Sequence, residues 1–463
     1  MRRLLTAAIA GCAIVGVTAV AAAHDGDRGH RGGFGFAPIA ASAYGQTEDQ
    51  KTPFVVPQGY TQRVISDESD LDLYTSICPG LPGILTLNPK SDWPDMTVAN
   101  ETGKRAGRYL YRTHEVRPFL YDPACTFGVV PQSAKDAYVA DGGGALSVID
   151  TKKGTTKVLA QRGDWDALDG LLWSPWGTLL FAEETLTTEL PDPNAPQAQS
   201  GLLYELELDP KDPSKSAGVA VRPKLGALAH EGIESDRAGN IYVIDEDRRG
   251  AIYRFVPKSY GDLSDGQLQV LKVDAGKTGT AKWIDLDMAQ VQNSARVAAA
   301  AVGGTQFCRP EDLERIKNVM YAALTCEDVT NPANLNGPGA ILSVTLGDTP
   351  KVGYFVAPGI NVGPEDRAAG VTGFRAPDNL ANGPGGKLWI SEDNTFSDIW
   401  VAGRDRDGDG DADSVSHFGS LKDPNAEATG IYFGKDPRVL YVNIQHASSG
   451  NDSTVAIARA KRD

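Results

Sequence analysis

Short apolar runs that end in acids recur along this chain, and their period predicts strands rather than helices. Ile241-Tyr242-Val243-Ile244 leads into Asp245-Glu246-Asp247, and Lys387-Leu388-Trp389-Ile390-Ser391 leads into Glu392-Asp393. The same arrangement, ending in acids or a histidine, recurs at residues 109–115, 179–184, 320–328 and 440–446. Each copy is preceded by a carboxylate that opens another short apolar run. These are Asp169-Gly170-Leu171-Leu172, Glu231-Gly232-Ile233, Glu311-Asp312-Leu313 and Asp378-Asn379-Leu380, with looser versions at Asp95 and Glu427. A Gly and a further strand pattern follow most copies, as at residues 201–206, 250–255 and 339–344. Numerous short strands punctuated by Gly and Pro predict a propeller or a sandwich. Six stations about 50 to 80 residues apart favour an all-β, six-bladed β-propeller. Length alone would allow about three domains. Blades cannot bury their faces singly, so residues 53–463 are expected to close into one ring.

In a blade the first strand lines the central channel and the second returns beside it. The carboxylate that opens strand one and the acid that closes strand two therefore reach the same end, and ring closure gathers several blades' acids on one axis. Packed carboxylates repel, and must either hold protons or bind cations. An axial metal site is the expectation, with Asp169, Glu231, Glu311 and Asp378 as ligands and Glu115 and Glu184 beside them. A solvated strand end would account for any single copy, but not for its recurrence at one register. Three of the six histidines, His114, His230 and His446, also fall at these landmarks.

A second, local cation site is expected at Asp405-Arg406-Asp407-Gly408-Asp409-Gly410-Asp411, which spaces oxygen ligands at alternate positions like the front half of a calcium loop. The twelfth position is Ser416, so the bidentate acid of a full EF-hand is missing. An acidic surface turn is the plainer alternative.

The formal charge of -15 disfavours nucleic acid and anionic membranes as partners and suits cations. Arg2-Arg3, an apolar stretch to Val20 and Ala21-Ala22-Ala23 form the layout of a signal peptide, so residues 1–23 are expected to be removed and the protein exported. Residues 9–12 offer a weaker lipoprotein reading, and Arg2-Arg3 is a loose match to a twin-arginine signal. No other segment has the length and apolarity of a membrane span. Residues 24–52, rich in Gly, Ala, His and Asp, read as a flexible leader. Beyond Cys12 the cysteines are Cys78, Cys125, Cys308 and Cys326. Of three possible pairings, sequence proximity favours Cys78 with Cys125 and Cys308 with Cys326.

Leu110-Tyr111-Arg112-Thr113-His114-Glu115, Ser174-Pro175-Trp176-Gly177-Thr178, His230-Glu231-Gly232, Arg309-Pro310-Glu311-Asp312 and Pro377-Asp378-Asn379-Leu380 stand in this order. With that ordered set the chain resembles the PhoX-type alkaline phosphatases over about residues 90–450. The resemblance implies an exported six-bladed propeller that hydrolyses phosphate monoesters with an iron and calcium cluster on its axis, for which Glu231, Glu311 and Asp378 would be ligands. The family pattern has an iron-ligating cysteine where this chain has Asp169. An all-oxygen set suits calcium, magnesium or manganese, so calcium is the expected cofactor and iron the doubtful one. Arg309 and Arg375 are candidate phosphate ligands, or surface arginines paired with the neighbouring acid, and His114 and His446 are candidate proton donors or partners that orient the ligands. Two other readings stay open: a calcium-dependent lactonase or esterase, and a non-catalytic propeller stapled by calcium.

Overall fold

The computed structural model describes residues 34–71, 73, 92–103, 105–117, 132–140, 142–186, 189–363 and 373–460. Each opening carboxylate stands at the head of an inner strand: Pro94–Ala99, Leu168–Trp173, Ile233–Ser235, Pro310–Ile316, Pro377–Gly383 and Glu427–Phe433. Each acid-tipped apolar run is the antiparallel second strand, from Tyr109–His114 in blade one to Val439–Gln445 in blade six. The inner strands contact one another in ring order, with the sixth against the first, so the β-propeller closes. The hydrogen-bonded sheets number five because the outer edges of blades three and four join, where Gly279 and Thr280 pair with Val352 and Lys351. The N-terminal strand Tyr60–Asp67 completes blade six by pairing with Ser453–Arg459, which ties the two ends of the chain together.

The core fills the wedges between blades. Trp389, Phe418 and Phe433 pack together between blades five and six, with Phe34 edge-on to Trp389 at 5.2 Å. That contact corrects the flexible-leader expectation for residues 34–52. Phe34 and Phe36 bury against this aromatic cluster, Ser42 donates to Asp398, and Ala43 is buried. Two phenylalanines in a Gly- and Ala-rich stretch outweigh its composition because each buries a large apolar surface. The expected signal peptide, the first part of the leader, Cys78 and Cys125 lie outside the described residues. Cys308 and Cys326 form the expected disulfide, with Cα atoms 5.2 Å apart. No helix among the described residues is long and apolar enough to cross a membrane.

One irregularity repeats around the ring. In blades one, two, four and five the inner strand carries an extra residue directly after its first pair, between Pro94 and Thr97, Leu168 and Leu171, Pro310 and Leu313, and Pro377 and Leu380. The acid is the first residue of each bulge, and a bulge re-aims a side chain out of the regular alternation. Blade six has the same bulge between Thr429 and Tyr432, but Gly430 occupies the acid's position. In blades two to five the residue after the acid faces the next inner strand at close range. A Cβ on Gly170 would meet the carbonyl of Glu231, and one on Gly232 the backbone of Asp312 and Leu313. Where the residue is polar it hooks the neighbour instead: Asp312 accepts from Leu380 N–H (2.8 Å) and Asn379 from Gly430 N–H (2.6 Å). The Asp-Gly, Glu-Gly, Glu-Asp and Asp-Asn pairs are thus inter-blade contacts as much as site residues.

Gly170→Ala is expected to lower the urea stability of the mature protein by about 1–3 kcal/mol, the usual cost of overpacking a tight contact. Gly218→Ala, on an outer strand with open space around it, is the control and should shift stability by less than about 0.5 kcal/mol.

Candidate metal centre

Five acids gather at one end of the axis, four on the bulges and Glu231 just ahead of its strand: Asp95, Asp169, Glu231, Glu311 and Asp378, all buried. They group as two triads rather than the single ring of four expected from sequence. Asp95, Glu115 and Asp169 offer carboxylate oxygens within 4.8 Å of one another, and so do Glu231, Glu311 and Asp378. The triads are neighbours, since the charges of Asp169 and Asp378 act on Asp95 and that of Asp169 on Glu231.

A second tier comes from the ends of the second strands. The N–H groups of Glu115, Glu184, Glu246, Thr325 and Asp393 donate to the carbonyls of Trp93, Ala167, Ala229, Arg309 and Ala376, each two residues before an axial acid. Four of those carbonyl residues, Trp93, Ala167, Arg309 and Ala376, hold positive φ of 34 to 47°. Backbone strain of this kind in non-Gly residues persists where the surroundings over-determine it, characteristically at functional sites. In blade four the tier holds a hydroxyl, and Thr325 Oγ1 donates to Glu311 at 2.5 Å. Blade six contributes Glu427, whose charge acts together with those of Asp393 and Asp378.

Two guanidinium groups enter this acidic field. Arg117 bridges Glu115 and Glu184. Arg309 spans three blades, reaching Glu246 at 2.7 Å, Glu311 at 3.0 Å and Asp393 at 3.7 Å. Burial, then like charges, pushes Asp95, Asp169 and Glu231 well above the carboxylate range. Burial also lifts Glu311 to about 8, although Arg309 opposes it, and Asp378 to about 7. For Glu115, burial is outweighed by Arg117 and hydrogen bonds, which bring it down to about 2. Buried Asp95 Oδ1 and Asp169 Oδ1 have no hydrogen-bond partner. Crowded, desolvated, all-oxygen donors with open lone pairs fit hard cations.

Not every expected residue joins the axis. His114 does not face the axis: it is fully buried within blade one, its Nδ1–H donates to the carbonyl of Asp92 at 2.6 Å and Nε2 meets Ser147 Oγ at 2.7 Å, a supporting place and not that of a proton donor. It occupies the register of Glu183 and Glu392, which accept the N–H groups of Asp166 and Arg375. All three side chains brace the residue three before an axial acid. In Glu183-Glu184 and Glu392-Asp393, strand alternation sends the first acid outward to this brace and the second toward the axis. Arg375 stands three residues before Asp378, in the braced register, whereas Arg309 stands two before Glu311. His446 lies at the rim, its ring against Trp93 at 4.6 Å and its charge acting on Asp393. The 405–411 loop joins the third and fourth strands of blade five, at the end opposite the axial acids. There Asp405, Asp407 and Asp413 approach one another, while Asp409 and Asp411 stand outside that group. Asp95, Glu246, Asp393 and Arg117 are site residues that the sequence pattern did not single out as ligands. The shared Xaa-Pro-acid step of Trp93-Pro94-Asp95, Arg309-Pro310-Glu311 and Ala376-Pro377-Asp378 would have found Asp95; nothing in the sequence marks Arg117.

Fold and site together define a propeller with a double layer of carboxylates on its axis. The family model described as Alkaline phosphatase PhoX matches residues 173–448, over half of the chain, and the chain belongs to that family. The solved structure of Pseudomonas fluorescens PhoX in complex with vanadate, a transition state analogue, shares its fold, with a TM-score of 0.61 and 19% identity over 92% of this chain and 98% of that one. More distant matches are a Bacteroides thetaiotaomicron protein of unknown function (TM-score 0.42, 8% identity, 86% and 76% covered) and the Malassezia sympodialis allergen Mala s 1 (0.41, 13%, 80% and 95%). No curated protein matches the chain.

Glu311 and Asp378 set a pH dependence. Their folded pKa values lie above those of the unfolded chain, so without metal the folded protein holds protons that unfolding releases, and stability is lost as pH rises through about 7 and 8. Urea unfolding of chelated protein is expected to weaken between about pH 6 and about pH 9, with added calcium restoring the alkaline end by replacing the protons. Equal stability across that range, with no response to calcium, would contradict the assignment.

Proposed function

We propose that the chain is an exported, metal-dependent phosphomonoesterase that acts on small phosphate esters. The observation that carries this reading is Arg309, held across three blades against the triad of Glu231, Glu311 and Asp378, which adjoins the other triad. An anion bound there meets a guanidinium directly over hard-cation ligands. Asp95, Glu115 and Asp169 would hold cations on one side, and Glu231, Glu311 and Asp378 on the other. Bound cations supply charge neutralisation and polarise phosphoryl oxygens.

Arg309 is suited to exchange a carboxylate for a phosphate oxygen, because its fork makes charge-assisted hydrogen bonds to either. Arg117 pairs with Glu115 and Glu184 and holds them in place. His446, half-buried at the rim beside Asp393, is the proton donor to the leaving oxygen in this reading; His114, enclosed and pushed toward its neutral form by burial, is not. Asp169 in the place of the family's cysteine favours calcium over iron. The Cys308–Cys326 disulfide suits an oxidising compartment, in keeping with export.

The mature protein loaded with calcium is expected to hydrolyse p-nitrophenyl phosphate and to lose activity on chelation. Glu231→Gln and Asp378→Asn should each lower kcat by about a hundredfold or more with the circular dichroism spectrum unchanged. Arg309→Gln should raise KM by about tenfold to a hundredfold, the loss of a charge-assisted hydrogen-bond pair. Turnover of a simple lactone alone would make the chain an esterase, and no turnover of either substrate would leave a calcium-stapled binding propeller.

A further inference from the structure

Outside the axial field, three more carboxylates converge where the ring is closed. Glu68 sits in a short turn, Glu68–Asp70, that follows the N-terminal strand and is capped by Asp67, which accepts from Ser69 N–H at 2.9 Å. Asp452 immediately precedes the strand Ser453–Arg459, and Asp92 lies two residues before the inner strand of blade one. Their oxygens lie within 4.8 Å of one another. The three segments are the N-terminal strand, the last blade and the first blade, so the cluster spans the seam of the propeller.

Asp92 is 1% exposed, and apart from a proton shared with Glu68 neither of its carboxylate oxygens has a hydrogen-bond donor. Its nearest cationic neighbours are distant. Arg112 stands at 4.0 Å and directs three of its five N–H groups to Ser147, Thr454 and Ser66, while His114 Nδ1, at 3.7 Å, donates to the Asp92 carbonyl. The other two acids are oriented from outside. Glu68 Oε1 accepts from Asp92 N–H at 2.7 Å, and Asp452 Oδ1 from Ala447 N–H at 2.8 Å. Among the described residues Arg112 is the guanidinium beside these three carboxylates, while Asp67 and Asp70 add negative charge nearby, so the junction is acidic. Burial, then Asp92 and Asp452, lifts Glu68 to about 10, so either a proton or a cation must stand among them.

We propose that Glu68, Asp92 and Asp452 form a structural calcium site that staples the N-terminal strand to the first and last blades. Hard oxygen donors of this number, completed by water at the half-exposed Glu68, suit calcium. The site holds whether or not the axial centre is a phosphatase. Calcium bound by the metal-stripped mature protein is to be counted by calorimetric titration. Asp452→Asn and Glu68→Gln are each expected to bind about one ion fewer per chain than the unaltered protein and to show a smaller calcium-induced rise in Tm. An unchanged count in both variants would overturn the proposal in favour of a shared proton. Should the variants fail to fold, crystals of the unaltered protein soaked in terbium decide. An anomalous peak about 2.3–2.6 Å from all three carboxylates supports the site, and its absence with terbium bound on the axis overturns it.

Discussion

Like-charge repulsion on the propeller axis is the constraint on which the rest of this structure turns. Five buried acids of the inner strands face a second tier of acids from the second strands, and two arginines stand among them. Desolvation raises the cost of every charge in that space. The chain meets part of the cost with Arg117 and Arg309 and part with hydrogen bonds from Thr325 and Gln445, which donates to Glu115 at 2.9 Å. What is left over is a field that only protons or cations can balance.

The backbone is arranged to keep those acids where they repel. A bulge at the head of four inner strands turns each acid off the regular alternation, and left-handed residues two positions earlier bend the chain into it. Buried side chains on the second strands, Glu183, Glu392 and His114, then lock the preceding backbone. Glycines and hydrogen-bonding residues after the acids let adjacent inner strands approach closely. Stability and site are built from the same residues, so a substitution beside an axial acid disturbs both.

At the seam the same chemistry serves a different end. A propeller must join its first and last blades, and here the N-terminal strand pairs with the last strand of the chain. Glu68, Asp92 and Asp452 meet across that junction. Divalent charge among them would add to the hydrogen-bond ladder at the place where the ring is formed by sequence-distant segments.

The repeat of acid-headed and acid-tipped strands was enough to predict an all-β propeller and to bring Asp169, Glu231, Glu311 and Asp378 to one end, because antiparallel hairpins return the chain to its starting face. Period and residue type are local properties, and they survive without knowledge of the neighbours. Tertiary structure decided the rest. Which acid of a consecutive pair faces the axis depends on bulge register, and a one-residue slip reverses it. His114 carried the landmark's sequence yet became a brace within blade one, and Arg117 entered the site with no motif to announce it. The division of the axis into two triads, and the meeting of Glu68 with Asp452, arise from contacts between segments far apart in the chain, which no local pattern encodes.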